Sequence, residues 1–212
     1  MEMNNPVDNI EKLIRSKDMQ FRDFSISSIE TRAVGDDEEM IVRGVACVFN
    51  TPTVLFEYDG VEYKEQIDDR ALRSCDLTDV IFNVNHCGRV FARTRNRSLK
   101  LETKSDGLHI EARLLKNDRG HEELYRDIKE GLLDRMSFAF TVKTQSYDRD
   151  NHLRTIMEIK KIYDVSAVDI PAYDTTEISA RSFFDAEREK ELAESKEKAE
   201  ALKLRKAKYF YL

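Results

Sequence analysis

Apolar and polar residues alternate along much of the chain between residues 24 and 180, and this period of two predicts half-buried β-strands. In residues 136–142, for example, large apolar side chains occupy the even positions, while Ser137, Ala139 and Thr141 occupy the odd ones. The pattern predicts strands at residues 25–32, 40–50, 63–66, 80–86, 99–103, 108–114, 136–144, 154–162 and 165–170. The expected fold class is therefore α+β, rich in β-structure.

Two segments between these strands, residues 68–75 and 119–130, are predicted to be helices. The second carries Leu124 and Ile128 four residues apart, so that both lie on one helical face. Gly131 follows it, and glycine commonly ends helices because it adopts the left-handed conformation without strain. Both helices are expected at the periphery of the sheet structure.

The two ends of the chain differ in composition from its centre. Residues 1–22 are polar and are predicted to be an N-terminal arm, and residues 23–183 form the predicted domain. In residues 184–212, 15 of 29 side chains are charged, which predicts a solvated helix or tail. The apolar end of this tail, residues 209–212, is interpreted either as a docking segment or as a frayed terminus.

The charge of the chain argues against a dedicated nucleic-acid-binding protein. The net charge is −6, and 36% of the residues are charged. Four arginines at odd positions define a strand-like face, which is more typical of a solvated surface than of a binding site: Arg89, Arg93, Arg95 and Arg97. No segment has the length and hydrophobicity of a membrane span, so no membrane association is predicted.

The sequence shows no motif for a metal ion or a cofactor. Its three cysteines, Cys47, Cys75 and Cys87, lack metal-ligand spacing, and there is no HExxH motif or glycine-rich phosphate loop. An odd number of cysteines without such spacing fits a reducing setting. We therefore expect any chemistry to be carried by amino-acid side chains alone.

His86 is the histidine with the most informative position. It ends the predicted strand 80–86 at the same parity as Val80, Phe82 and Val84, so a titratable ring continues an apolar face and needs a polar partner. Cys87 follows directly and should point to the opposite face. Ser137, beside the small Ala139, has the access that a nucleophile needs, although its pattern also fits an ordinary strand serine.

Six segments resemble, in the same order, the motifs of one protein family. The nucleophile signature of that family, G-x-x-x-x-M-S-F-G-F, is matched by residues 131–140, with Ala139 in place of the second glycine. Its histidine motif is matched by residues 82–86. The other four motifs are matched by residues 41–50, 65–72, 106–112 and 163–172. The family is that of the tailed-phage prohead proteases, serine proteases of capsid maturation that are similar in fold to herpesvirus assemblin.

This resemblance implies a herpesvirus-protease-like, partly closed β-barrel with peripheral helices. It also implies a triad in which Ser137 is the nucleophile, His86 is the general base and then the acid, and Asp164 orients the histidine. Asp164 stands where the family more often has glutamate. Asp169 is the alternative third member, although it lies at the opposite strand parity.

The resemblance further implies a serine endopeptidase that needs no cofactor and cleaves a scaffold or major capsid precursor protein during capsid maturation. It would act inside the prohead, in the cytoplasm of the infected or lysogenic bacterium, and homo-oligomers are possible. The alternative is a non-catalytic scaffold or assembly protein of the same fold in the capsid interior. A third, weaker interpretation is a phage protein that contacts nucleic acid through residues 89–97.

Overall fold

A computed structural model describes residues 19–24, 29–32, 40–169 and 173–210 of the chain. The described strands and helices are β1 (Met19–Phe24), β2 (Ile29–Arg32), β3 (Met40–Val48), β4 (Thr53–Tyr58), β5 (Val61–Ile67), β6 (Ile81–Val84), β7 (Cys87–Arg93), β8 (Leu99–Thr103), β9 (Gly107–Leu114), α1 (Arg119–Lys129), β10 (Arg135–Asp148), β11 (Leu153–Val168) and α2 (Tyr173–Phe210). The predicted β-rich α+β class is confirmed.

The described strands form two separate sheets. Seven strands make the larger one, in the order β1-β10-β11-β5-β4, with β6 paired to β11 and β7 paired to β6. The smaller sheet has the order β2-β3-β9-β8 and is antiparallel throughout. No described strand pairs across the two sheets, so the described strands do not form a closed barrel, and the likeness to the herpesvirus protease fold stays a prediction.

One hydrophobic core contains side chains from both sheets. Helix α1 adds Leu124 and Ile128 to it, as their spacing predicted. The larger sheet contributes Phe82, Met136, Phe138 and Phe140, and the smaller sheet contributes Val42, Leu108, Ile110 and Ala112. The even positions of β10 therefore face the core, and its odd positions near Ser137 face the other side of the sheet.

The hairpin of β10 and β11 is the longest structure in the larger sheet. The sequence predicted two strands, 154–162 and 165–170, where the structure has one continuous β11. Ala139 pairs with Asp164 and Phe140 pairs with Ile162, so Tyr163 is an extra residue at a bulge. The bulge shifts the alternation, which lets both Ile162 and Val165 reach the core.

Besides β1, two strands were not predicted from the sequence, and both lie at the margin of the larger sheet. Most of their side chains are exposed or half-buried, so strands β4 and β7 lack the alternation that marks a buried face. The N-terminal strand β1 also begins inside the segment predicted as an arm, at Met19, and pairs with β10.

Helix α1 forms where it was predicted, whereas residues 68–75 do not form a helix. In α1, the side chain of Asp118 accepts hydrogen bonds from the first turn, and Gly131 follows the helix with a φ of 75°. Residues 68–75 instead make successive turns, and the carbonyl of Ala71 accepts from Ile159 of β11 at 2.9 Å. The N–H of Cys75 donates to the carbonyl of Leu72 rather than to that of Ala71, so the bond that would continue an α-helix is not made there.

The chain divides into two compact units, Met1–Thr176 and Glu177–Leu212. The first unit holds both sheets and α1. The second consists of most of α2, whose described side chains are mainly exposed and charged. Neither described helix is long and apolar enough to cross a membrane.

Candidate active site

Three neighbouring strands place a row of polar side chains on the face of the larger sheet that is opposite the core. Ser137 of β10 pairs with Ser166 of β11, and Ser166 pairs with Asn83 of β6. Directly paired residues project to the same face of a sheet, and so does Asp164, two residues before Ser166. All four side chains are buried, so each of them requires a hydrogen-bond partner.

His86 reaches this row from a tight turn rather than from a strand. Asn85 and His86 connect β6 to β7, and Val84 on one side of them pairs with Cys87 on the other. Both turn residues have positive φ values, 50° and 55°, as in a type I′ hairpin. The left-handed backbone takes His86 out of the strand alternation, so the prediction that it continues the apolar face of the strand is wrong.

Backbone and side-chain hydrogen bonds hold this turn against β11. The N–H of Asn85 donates to the carbonyl of Ala167 at 3.0 Å, and the N–H of Asp169 donates to Oδ1 of Asn85 at 3.4 Å. The N–H of His86 donates to Oγ of Ser166 at 3.2 Å. Because β11 also carries Asp164, the histidine and the carboxylate are positioned by the same strand.

The three candidate residues of the sequence form one continuous chain of hydrogen bonds. Nδ1 of His86 lies 2.6 Å from Oδ1 of Asp164, and Nε2 of His86 lies 2.6 Å from Oγ of Ser137. A carboxylate only accepts hydrogen bonds, so the Nδ1 proton of the neutral ring points to Asp164. Nε2 then carries the lone pair, in the orientation needed to take the proton of the serine hydroxyl.

Ser166 and Asn83 belong to the same network, although sequence reasoning did not single them out. The hydroxyl oxygen of Ser166 lies 2.9 Å from Oδ1 of Asp164 and 3.1 Å from Nδ1 of His86, and it also hydrogen-bonds the side chain of Asn83. Ser166 therefore touches both the carboxylate and the histidine. Its shared parity with Asp164 was the available signal, but only the strand pairing shows that Ser137 and Asn83 flank it.

The other polar candidates lie elsewhere. Asp169 is exposed at the end of β11, and its N–H supports the histidine turn. His121 is buried in α1, where its Nδ1 accepts from the N–H of Leu115 at 3.2 Å and its ring packs on Phe91. Burial lowers the pKa of His121, so its role in the described structure is that of a neutral core residue.

Three of the four arginines in residues 89–97 pair with two carboxylates. Arg89 pairs with Asp118 at 2.6 Å, while Arg93 and Arg95 pair with Asp79 at 2.6 and 2.9 Å. Such pairing removes much of the positive potential that a phosphate backbone would need. Among the described residues, no group of three or more His, Cys, Asp or Glu side chains is arranged to hold a metal ion.

Comparison with known proteins identifies the family of the chain. A model of the Caudovirus prohead serine protease family matches residues 27–190. The chain belongs to this family. The part of the prohead protease that the family model matches contains His86, Ser137 and Asp164, and it begins after strand β1.

Other comparisons give a more distant likeness. Among solved structures, the capsid assembly protease gp21 of bacteriophage T4 is similar to this prohead protease, with 14% sequence identity and a TM-score of 0.47. The alignment covers 72% of this chain and 98% of that chain. A comparison with curated protein sequences gives no significant match.

Proposed function

We propose that this prohead protease is a serine endopeptidase whose catalytic triad is Ser137, His86 and Asp164. The observation that carries the proposal is the unbroken path from the Ser137 hydroxyl through both nitrogens of His86 to Asp164, with 2.6 Å at each step. A serine hydroxyl is a weak nucleophile until a base removes its proton, and this path supplies the base and its orienting group.

The proposed reaction proceeds by acyl transfer. Nε2 of His86 takes the proton of Ser137 as Oγ attacks the carbonyl carbon of the substrate peptide, and Asp164 stabilises the imidazolium that forms. His86 then donates the proton to the leaving amine, which breaks the peptide bond and leaves an acyl-serine. Water attacks this ester with His86 again as base, and the carboxylic acid product leaves with Ser137 restored.

The substrate and the location are proposed from the family to which the chain belongs. The substrate would be a scaffold or major capsid precursor protein of the phage, cleaved inside the prohead during maturation in the host bacterium. A non-catalytic scaffold of the same fold would have no need for a buried serine, histidine and carboxylate in hydrogen-bond contact. Buried polar groups cost stability unless function or a complete hydrogen-bond network compensates for them.

Covalent labelling tests the proposed nucleophile. A fluorophosphonate should modify Ser137, identified by peptide mass spectrometry, and Ser137→Ala should abolish both labelling and cleavage of a co-expressed capsid precursor. Ser146→Ala is the matched control, because Ser146 lies on the same strand but is exposed, and it should label and cleave as the wild type does. Wild-type processing by Ser137→Ala would eliminate Ser137 as the nucleophile, whereas a folded wild-type protein that neither labels nor cleaves the precursor would favour the scaffold alternative.

A further inference from the structure

The proposed nucleophile is completely covered in the described structure. Ser137 has 0% of its surface exposed, and His86 has 9%. Attack on a peptide requires the substrate carbonyl to come within about 3–3.5 Å of the serine oxygen. Some part of the protein must therefore move before the triad meets a substrate.

Strand β1 lies directly against both residues. The carbonyl oxygen of Arg22 lies 3.1 Å from Oγ of Ser137, where it competes with Nε2 of His86 for the single hydroxyl proton. The ring of Phe21 packs edge-to-face on His86, with 4.7 Å between the ring centroids. A main-chain carbonyl and a neighbouring side chain of β1 thus occupy the space beside the serine and the histidine.

Strand β1 also occupies the edge of β10 that any extended peptide would need. Its residues pair antiparallel with residues 136–141, so that residue 23 lies opposite Ser137. β1 is the last strand on this side of the sheet. Without it, β10 would present unpaired N–H and C=O groups next to the nucleophile, which is how sheet edges bind extended polypeptides.

A buried ion cluster fastens β1 in this position. The guanidinium of Arg22 makes two hydrogen bonds to the carboxylate of Glu65 on β5, and Arg154 of β11 donates to the same carboxylate at 2.8 Å. Gln20 of β1 accepts from both arginines. Gln20 and Arg22 therefore join β1 to side chains of β5 and β11.

The other charged groups of this cluster would keep partners if β1 separated from β10. Removing one partner of a buried ion pair is strongly unfavourable when it leaves the other charge unpaired. Here Arg154 would continue to neutralise Glu65, and Gln145 would continue to accept from Arg154. Arg22, by contrast, would move into water with its own strand.

We propose that β1 is an intramolecular latch on the protease, and that an extended segment of the substrate protein binds by replacing it along β10. This inference rests on the proposed function, because it assumes that Ser137 is the nucleophile. It is supported by the family comparison, in which the matched residues 27–190 include the triad but not β1. The latch keeps the site closed until a substrate strand competes for the same edge.

The rate of Ser137 labelling by a small fluorophosphonate tests the latch. Arg22→Ala removes both hydrogen bonds to Glu65 while leaving the backbone pairing possible, and should speed labelling by about tenfold or more, since each charge-assisted hydrogen bond lost corresponds to at least about a tenfold change. Arg43→Ala is the matched control, since Arg43 pairs with Glu111 in the smaller sheet. It should label at the wild-type rate.

A reversible disulfide between β1 and β10 provides a second test of the latch. Met19 and Thr141 are paired residues at the end of β1 farthest from Ser137. Their Cα atoms should lie about 4.5–5.5 Å apart, within the range that a disulfide spans. In Met19→Cys/Thr141→Cys, oxidation should slow labelling about tenfold relative to the reduced form, because the strand can no longer leave. Met19→Cys alone, treated in the same way, should show no such change.

The outcomes separate the latch from the proposed function. Equal labelling of the oxidised and reduced double variant, or slower labelling of Arg22→Ala with its fold intact, would overturn the latch and make β1 a fixed part of the site. If Arg22→Ala does not fold, comparing the labelling rates of the oxidised and reduced double variant still shows whether β1 acts as a latch. Absence of Ser137 labelling in every folded variant, including the reduced ones, would instead overturn the proposed nucleophile.

Discussion

At the scale of single residues, two carboxylates lie near the turn that carries the histidine, and only one of them contacts the ring. Asp164 is buried and lies 2.6 Å from Nδ1 of His86, whereas the exposed Asp169 contacts the turn through its backbone. Only Asp164 is therefore placed to hold one tautomer of the ring and to stabilise the imidazolium.

Replacing these two carboxylates should have different effects on catalysis. Asp164→Asn keeps the shape of the side chain but allows the wrong histidine tautomer, so kcat should fall by about 10³- to 10⁴-fold. Asp169→Asn should leave kcat nearly unchanged. Steady-state hydrolysis of a peptide from the capsid precursor measures both. A greater loss in the Asp169 variant would move the orienting role to that residue.

Ser166 is predicted to be a positioning residue. Its hydroxyl contacts Asp164 and His86 but not the proposed substrate position, so Ser166→Ala should lower kcat about 10- to 100-fold, as expected for a lost hydrogen bond to a charged group. KM should change little. The matched variant Ser146→Ala should alter neither constant. A rise in KM at constant kcat would show that Ser166 acts on substrate binding instead.

At the scale of elements, the two-residue turn between β6 and β7 determines where the histidine ring lies. Asn85 and His86 both have positive φ values, which β-branched residues strongly disfavour. The geometry of the triad therefore depends on the backbone conformation of Asn85, which is not itself a member of the triad.

Asn85→Val should disturb this turn and lower activity. Valine in a left-handed conformation costs roughly 1–2 kcal/mol, and relaxing that strain would move His86 away from Ser137. Asn117→Val is the control, because Asn117 also has a positive φ, 60°, and lies in the loop before α1. Both variants should unfold at lower urea concentration, but only the first should lose hydrolysis. Equal activity of the two would contradict the importance of the turn.

The buried cluster that joins β1, β5 and β11 should make stability depend on pH. Burial alone would raise the pKa of Glu65, but Arg22 and Arg154 together lower it below its ordinary value of 4.5. The unfolded chain then binds the proton more tightly than the folded chain does. The stabilising contribution is complete above about pH 4.5 and is lost as the pH falls through the lower folded-state pKa.

Glu65→Gln should remove this contribution. At pH 7 the free energy of unfolding should fall by about 3–5 kcal/mol, because two buried guanidiniums lose their carboxylate. The variant should also lose less stability than the wild type between pH 5 and pH 3. Urea unfolding at several pH values measures both effects. Glu111→Gln, at a half-exposed ion pair, should cost about 1 kcal/mol or less.

At the scale of the whole molecule, the described structure separates the unit that holds the candidate site from a second, helical unit. Unit Glu177–Leu212 consists largely of α2, and the family match ends within it at residue 190. All residues of the proposed triad lie in the first unit. The charged segment after residue 190 is therefore a candidate for recruitment rather than for chemistry.

Removing residues 191–212 should separate these two roles. Hydrolysis of a soluble peptide should remain roughly unchanged, because the truncation leaves the sheets and the triad intact. Incorporation of the truncated protease into proheads, measured by quantifying it in purified particles, should fall. Normal incorporation would remove the docking hypothesis, and loss of peptide hydrolysis would instead assign the helix a part in forming the site.

Much of this arrangement was accessible from the sequence. Alternation located most strands of both sheets, and Gly131 together with the i,i+4 pair of Leu124 and Ile128 located α1, because these signals are local along the chain. Short motifs in family order singled out His86, Ser137 and Asp164. These residues are 51 and 27 positions apart in the sequence, and the structure brings them within hydrogen-bond distance.

Other features were decided only by the tertiary structure. The face of His86 depends on two left-handed residues, the single strand β11 depends on a bulge at Tyr163, and the roles of Ser166 and Asn83 depend on strand register. The exposed strands β4 and β7 carry no periodic signal. Pairing between distant strands is set by the packing of the whole core, so the covering of Ser137 by β1 could not be predicted from local sequence.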